Sequence, residues 1–222
     1  MEQIHIAIDG PAGAGKSTIA KILADKIEVD YLDTGAMYRA LTYHIIKCNL
    51  DIDKEEIIIN EAEKIDINFV NNSIYLNNQN IDNEIRSSQV SKNVSTISKI
   101  SRVREIMVDK QREIARHKSV IMDGRDIGTV VLPNANVKFY LDASIEIRAQ
   151  RRYNELANKR EVEFEDLKND IIKRDDMDSK RDVSPLKKAN DALIIDTTDK
   201  SIDQVVCEMI NIISSVKGGD IL

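Results

Sequence analysis

The sequence predicts an α/β fold: a parallel sheet flanked by helices and organised around a phosphate-binding loop. Short apolar runs alternate with longer segments of helical spacing, the pattern of repeated strand–helix units. Residues Gly10-Pro11-Ala12-Gly13-Ala14-Gly15-Lys16-Ser17 read G-x-x-x-x-G-K-[ST]. The loop stands in its working context, after the apolar run Ile4–Ile8 and before the helical stretch that starts at Ser17.

The strands expected in order are Ile4–Ile8, Val29–Leu32, Ser119–Met122, Val137–Leu141 and Ala192–Ile195, each short and apolar. The helices expected are Ser17–Lys26, Ala36–Lys47, Lys54–Lys64, Ser101–Arg116, Ile145–Asn158, Phe164–Arg174 and Ile202–Ser215, the last with Ser201 as N-cap. Between Ile65 and Ile85 the pattern changes. Ile67–Val70 and Ser73–Leu76 are separated by Asn71-Asn72 and followed by Asn77-Asn78, which reads as a small antiparallel sheet with Asn-Asn turns. Such hairpins do not belong inside a parallel sheet. The segment is either a decorative hairpin or an insertion that packs over one edge of the cleft, and we take it as the insertion. The tail Lys217–Leu222, with Gly218-Gly219, is expected to fray.

The chain has 222 residues, 42% hydrophobic and 32% charged, as a soluble globular protein of one domain (1–222) should be. A formal net charge of −6 argues against a general nucleic-acid surface, so any anion site must concentrate its basic groups in one cleft. Cys48 and Cys207 stand apart, with no disulfide or zinc spacing, and are expected as buried or half-buried thiols in a reducing compartment. No run approaches a membrane span, and the expectation is a cytoplasmic protein. No heptad or long apolar face demands association, so a monomer is expected.

The loop itself implies chemistry. Its glycines let successive N–H groups face a β-phosphate, and the helix N-terminus adds positive potential. Lys16 would reach the β- and γ-phosphates, and the Ser17 hydroxyl would hold Mg²⁺. The strand ending at Met122 leads into Asp123, where phosphate-loop enzymes place a carboxylate that organises Mg²⁺ and its water. Gly124, Arg125 and Asp126 follow, and charged groups at a strand end are costly unless a polar ligand or partner meets them. Thr34 and Arg39 follow the strand ending at Leu32 and would face the same crevice, since strand carboxyl ends line the ligand site. Arg148, Arg151 and Arg152 have the spacing of one helix face, Arg160 lies in a turn beyond, and Arg174 to Arg181 adds further charge. That density of arginines suits phosphoryl transfer between two anions, under a lid that excludes water.

Together IDGPAGAGKST, LDTGAMYR, MDGRDIGTVV and KRDDMDSKRDVSPL resemble the nucleoside monophosphate kinases, and among them the bacterial cytidylate kinases, along nearly the whole chain. The resemblance implies a central five-stranded parallel sheet in a core of residues 1–35, 100–145 and 180–222. It also implies a monophosphate-binding insertion at 36–99 and a short helical lid at 146–179. It implies that Gly10, Pro11, Ala12, Gly13, Ala14, Gly15, Lys16, Ser17 and Thr18 bind the phosphates of ATP. Thr34, Arg39, Arg125 and Arg181 would surround the acceptor nucleotide, the three arginines mainly on its phosphate, and Arg174 and Asp178 would meet the sugar hydroxyls. Ser95, Arg104 and Asp126 would read the base, and Lys16, Arg125, Arg181 and the lid arginine Arg151 would carry catalysis. Ser17 stands where many relatives have Gly and restores the general loop pattern.

The base-reading set also has a chemical reason. Cytosine offers the N4 amine as donor and N3 and O2 as acceptors. A carboxylate at Asp126 accepts from N4, while Arg104 and Ser95 donate. Uracil reverses the N4 and N3 roles, and mispaired buried groups reject strongly. CMP and dCMP are therefore expected over UMP. A kinase of the same fold with another acceptor is the near rival. A GTP switch is a distant one, because neither Lys188-Ala189-Asn190-Asp191 nor Thr198-Asp199-Lys200 has the order of the guanine-reading motif.

Overall fold

The computed structural model describes residues 3–70, 72–156 and 163–216. The chain runs β1 (His5–Asp9), α1 (Lys16–Lys26), β2 (Asp30–Asp33), α2 (Thr34–Lys47), α3 (Glu55–Lys64), β3 (Ile67–Val70), β4 (Ser73–Leu76), β5 (Gln79–Asn80), α4 (Ser88–Ser98), α5 (Ser101–His117), β6 (Val120–Gly124), β7 (Val137–Asp142), α6 (Ile145–Leu156), α7 (Phe164–Lys180), β8 (Leu193–Asp196) and α8 (Ile202–Val216). β1, β2, β6, β7 and β8 pair in parallel, in the order β2-β6-β1-β7-β8.

Successive side chains of a strand point to opposite faces, so each strand feeds two cores. Ile6, Ile8, Ile121 and Phe139 pack under α1 and α8. Ala7, Leu32 and Met122 pack under α2, α4 and α5. Burial on both faces is why these strands read as continuous apolar runs rather than alternating ones. The chain leaves β1 toward β2 and later returns to the other side of β1 with β7, so the crevice opens beside the loop that follows β1.

The Ile65–Ile85 segment is a three-stranded antiparallel sheet, β3-β4-β5. Leu76 pairs with Gln79 across Asn77 and Asn78, whose φ values of 48° and 66° are those of a type I′ turn. Its position departs from the expectation. Asn72 Nδ2 donates to Asp25 Oδ1 at 3.3 Å, and Phe69 and Asn72 share a cavity of about 280 Å³ with Glu28, Asp30 and Lys118. These residues lie at the amino ends of β2 and β6, away from the crevice. The small sheet buries Ile67, Ile74 and Leu76 in the α2–α3 core and does not cover the cleft edge.

That edge belongs to α4, a helix without a counterpart among the expected elements. Its sequence SQVSKNVSTIS is rich in weak helix formers. It is helical because Val90, Val94 and Ile97 share one buried face and Ser87 Oγ accepts from Val90 N at 3.4 Å. α7 runs six residues past the expected end at Arg174, to Lys180, which places Asp175 and Asp178 on the same helix. Cys48 and Cys207 are both exposed, against the expectation of burial: one caps the end of α2 and the other faces outward from α8. Residues 157–158 of the expected helix Ile145–Asn158, Arg160, Asn71 and the tail Lys217–Leu222 lie outside the described residues.

Candidate active site

The loop after β1 wraps between β7 and α6. Gly10 has φ 147°, and a Cβ there would lie 2.0 Å from the carbonyl oxygen of Leu141, so only glycine fits against that strand. Gly15 precedes α1 with φ 86°. Lys16 is buried and donates through Nζ to Pro11 O at 2.7 Å. Burial, and then the neighbouring Arg125, push its pKa well below the usual lysine range.

The loop is braced from the α6–α7 side. Arg148 Nη1 donates to Ala12 O at 2.9 Å and pairs with Asp175, whose Oδ1 accepts from Ala12 N at 2.9 Å. Arg151 donates to Thr197 O and Oγ1 at 2.6 and 3.0 Å, and Thr197 Oγ1 donates to Ala14 O at 3.3 Å. The expected single face of Arg148, Arg151 and Arg152 therefore divides. The first two turn inward to the loop, and Arg152 turns out to Glu155 at 2.8 Å. Their hydrogen bonds are to protein groups: Arg148 meets a loop carbonyl directly, and Arg151 meets Thr197, which lies between it and the loop.

Asp123 stands where the sequence places it, at the carboxyl end of β6 and buried. Its Oδ2 accepts from Ser17 Oγ at 2.8 Å and its Oδ1 from Tyr31 OH at 2.7 Å. Asp33 is its register partner across β2 and β6, and burial together with that second carboxylate raises the Asp123 pKa. Two carboxylates and a hydroxyl beside a phosphate loop are hard oxygen donors whose repulsion a divalent cation would relieve. Among the described residues no group of three or more His, Cys, Asp or Glu could hold a metal ion. Thr34 Oγ1 donates to the carbonyl of Asp123 at 2.7 Å, which ties the start of α2 to the same strand end.

The remaining predicted residues meet in one charged cluster. Arg104 Nη2 donates to Asp126 Oδ2 at 2.6 Å, both side chains being under a tenth exposed. Arg181 lies 3.6 Å from Asp126 and 3.5 Å from Asp178. Arg125 Nε donates to Asp178 Oδ2 at 2.9 Å. Arg174 senses Arg125, Arg39, Asp178 and Asp175; burial, then those cations, lower its pKa to about 10. The three arginine neighbours of Asp178 hold its carboxyl below the usual range although burial opposes them. Ser95 reaches the cluster across a cavity of about 580 Å³ that it lines with Ser98, Met177, Asp178 and Arg181. Arg39, Arg104, Arg125, Arg174 and Arg181 outnumber Asp126, Asp175 and Asp178. Arg174 Nε and Arg181 Nη2 are buried without a hydrogen-bond partner. Excess guanidinium with unused donors is the electrostatic signature of an anion site.

Several contributors went unnoticed in the sequence. Asp9 accepts from Ile127 N and Gly128 N at 2.8 and 2.7 Å, fixing the turn that carries Arg125 and Asp126; burial raises its pKa to about 6. It carries the signal that revealed Asp123, a carboxylate closing an apolar strand. Asp33, closing β2, carries that signal as well; Tyr31, Asp175 and Thr197 do not, because each works through a partner distant in sequence.

The family model for cytidylate kinase matches residues 6–215. The chain is 54% identical over 217 residues to the cytidylate kinase of Alkaliphilus oremlandii (strain OhILAs), covering 97% of this chain and 100% of that one. It is 53% identical over 212 residues to the cytidylate kinase of Clostridioides difficile (strain 630), covering 95% and 98%. Among solved structures, a gluconokinase from Sinorhizobium meliloti 1021 superposes with a TM-score of 0.52 at 9% identity, covering 96% of this chain and 93% of that one, a likeness of fold alone. With the loop, the strand-end carboxylate and the arginine cluster in one crevice, and with a family match along nearly its whole length, this chain belongs to the cytidylate kinase family.

Proposed function

We propose that the protein transfers the γ-phosphoryl group of Mg·ATP to the 5′-phosphate oxygen of CMP or dCMP, giving ADP and CDP or dCDP. The observation that carries this reading is the buried Arg104–Asp126 pair inside an arginine cluster beside the loop. It offers a carboxylate acceptor and guanidinium donors to a base while the other arginines face an anion.

In this reading residues 10–18 hold the donor phosphates, through the backbone N–H groups of the loop other than Pro11, which has none. Lys16 leaves Pro11 O for the β- and γ-phosphates. Arg39, Arg125 and Arg181, with Thr34, hold the acceptor phosphate in line. Arg174 and Asp178 meet the sugar, and Ser95, Arg104 and Asp126 the base. The acceptor oxygen is already anionic and needs no strong base, so positioning and charge neutralisation supply the acceleration. A Mg²⁺ ion held by Ser17 and Asp123 would add neutralisation of the triphosphate charge. Arg148 and Arg151 brace the loop, and Arg151 reaches catalysis through that bracing. The division into core, monophosphate-binding insertion and lid given above belongs to the same proposal, as do a cytoplasmic location and a monomeric state. No helix among the described residues is long and apolar enough to cross a membrane.

The test is ADP release with Mg·ATP and each of CMP, dCMP, UMP, AMP and GMP. Turnover with CMP and dCMP at about 100-fold or more the kcat/KM of UMP is the expected result. Comparable values for UMP and CMP would overturn the roles given to Ser95, Arg104 and Asp126.

A further inference from the structure

Behind Arg104 lies a second polar layer that the assignments above do not use. Arg104 and Gln111 are seven residues apart on α5, two turns along one face, and are 2% and 1% exposed. Tyr38, on α2 and 7% exposed, lies across from them. The guanidinium carbon of Arg104 is 5.2 Å from the centre of the Tyr38 ring. The Tyr38 hydroxyl and the Gln111 carboxamide are neighbours, yet Tyr38 OH, Gln111 Nε2 and Arg104 Nε all lack a partner in hydrogen-bond geometry.

Burying three such atoms is unfavourable, and apolar side chains of the same shape would fill this space at lower cost. The polar layer therefore calls for a reason other than stability. Arg104 supplies it. One corner of its fork is committed to Asp126 and another, Nη1, to Ser98 O at 3.3 Å, so the plane of the guanidinium decides what its remaining edge presents to a ligand. A ring face beneath the cation fixes that plane, and cation–π attraction strengthens in a dry site. Gln111 in turn limits where the Tyr38 hydroxyl, and so the ring, can sit.

We propose that Tyr38 and Gln111 are positioning residues for base selectivity, holding the Arg104 guanidinium in the one plane that pairs with Asp126 and with a pyrimidine acceptor edge together. This rests on the base-reading role of Arg104 given under the proposed function.

The experiment compares Tyr38→Phe, Tyr38→Leu, Gln111→Met and Arg104→Lys in the full chain, by kcat and KM for CMP, UMP and ATP. Tyr38→Leu and Gln111→Met are expected to raise KM for CMP about tenfold and narrow the CMP:UMP ratio of kcat/KM about tenfold. Both should leave KM for ATP unchanged and kcat within about threefold. Tyr38→Phe, which keeps the ring, is expected to hold the ratio within about threefold of wild type. If Tyr38→Leu does not fold, the volume-matched Gln111→Met carries the comparison. A ratio that moves in Arg104→Lys but stays at the wild-type value in both Tyr38→Leu and Gln111→Met overturns the positioning role alone. A purely structural effect would also appear as equal losses with CMP and UMP, and overturns it too. A wild-type ratio in Arg104→Lys removes the assignment of Arg104, and the proposal with it.

Discussion

The two ends of the crevice are built on opposite plans. The loop end is one contiguous stretch, Gly10 to Thr18, whose working groups are mostly backbone and whose shape comes from glycine dihedrals. The cluster end draws Arg39, Arg104, Arg125, Asp126, Arg174, Asp178 and Arg181 from α2, α5, the turn after β6, and α7 with the residue that follows it. The loop end is held by neighbours that satisfy its amides and carbonyls, as Arg148, Asp175 and Thr197 do. The cluster end is held by its own charges, each carboxylate shared between arginines. Backbone sites therefore tolerate side-chain change around them, whereas a shared ion-pair network couples every member to the rest.

The largest effect should come from Arg181→Ala. It removes a cation that meets both Asp126 and Asp178, and kcat is expected to fall about 100-fold or more with the fold intact. Combined with Arg125→Ala, the loss should be less than the product of the two single losses, because both arginines act on Asp178. Multiplicative losses in steady-state kinetics would show that the cluster does not behave as one unit.

Next comes Asp126→Asn, which leaves the buried Arg104 facing a neutral amide. A destabilisation of about 3 kcal/mol is expected, read as a lower urea midpoint at unchanged slope. A midpoint within experimental error of wild type would mean that Arg104 has found another partner.

The smallest effect should come from the bracing of the loop. Arg148→Met removes the donor to Ala12 O and the partner of Asp175. KM for ATP is expected to rise about five-fold while KM for CMP stays within about twofold, since a lost charge-assisted hydrogen bond loosens the donor side only. Equal rises for both substrates would dissolve the distinction between the two ends.

How much of each end was legible follows the same division. Lys16 and Ser17 are recognisable because the spacing of a contiguous loop is written in the chain, and Asp123 because a carboxylate closing an apolar strand is conspicuous. Of the arginine cluster, Arg39, Arg125 and the run from Arg174 to Arg181 were legible from strand ends and charge density, but Arg104 was reached only through resemblance, since nothing local distinguishes it on α5 from Arg102, which pairs with Glu63 and Glu105 at the surface. α4 was missed because its serines and asparagines argue against a helix, and its three buried apolar residues outweigh that preference only once α2 and α5 are in place.

By itself the sequence determined the five strands, their parallel order of use, the phosphate loop and the Asn-Asn turns. These depend on hydrophobic period and on backbone dihedrals, which neighbouring residues dictate. Only the tertiary structure decided where the small sheet docks, that Arg148 and Arg152 part company, and that Tyr38 and Gln111 stand behind Arg104. These depend on which distant groups share a buried space. Charge pairing and orphaned hydrogen-bonding atoms have energies set by separation in space, to which separation along the chain is blind.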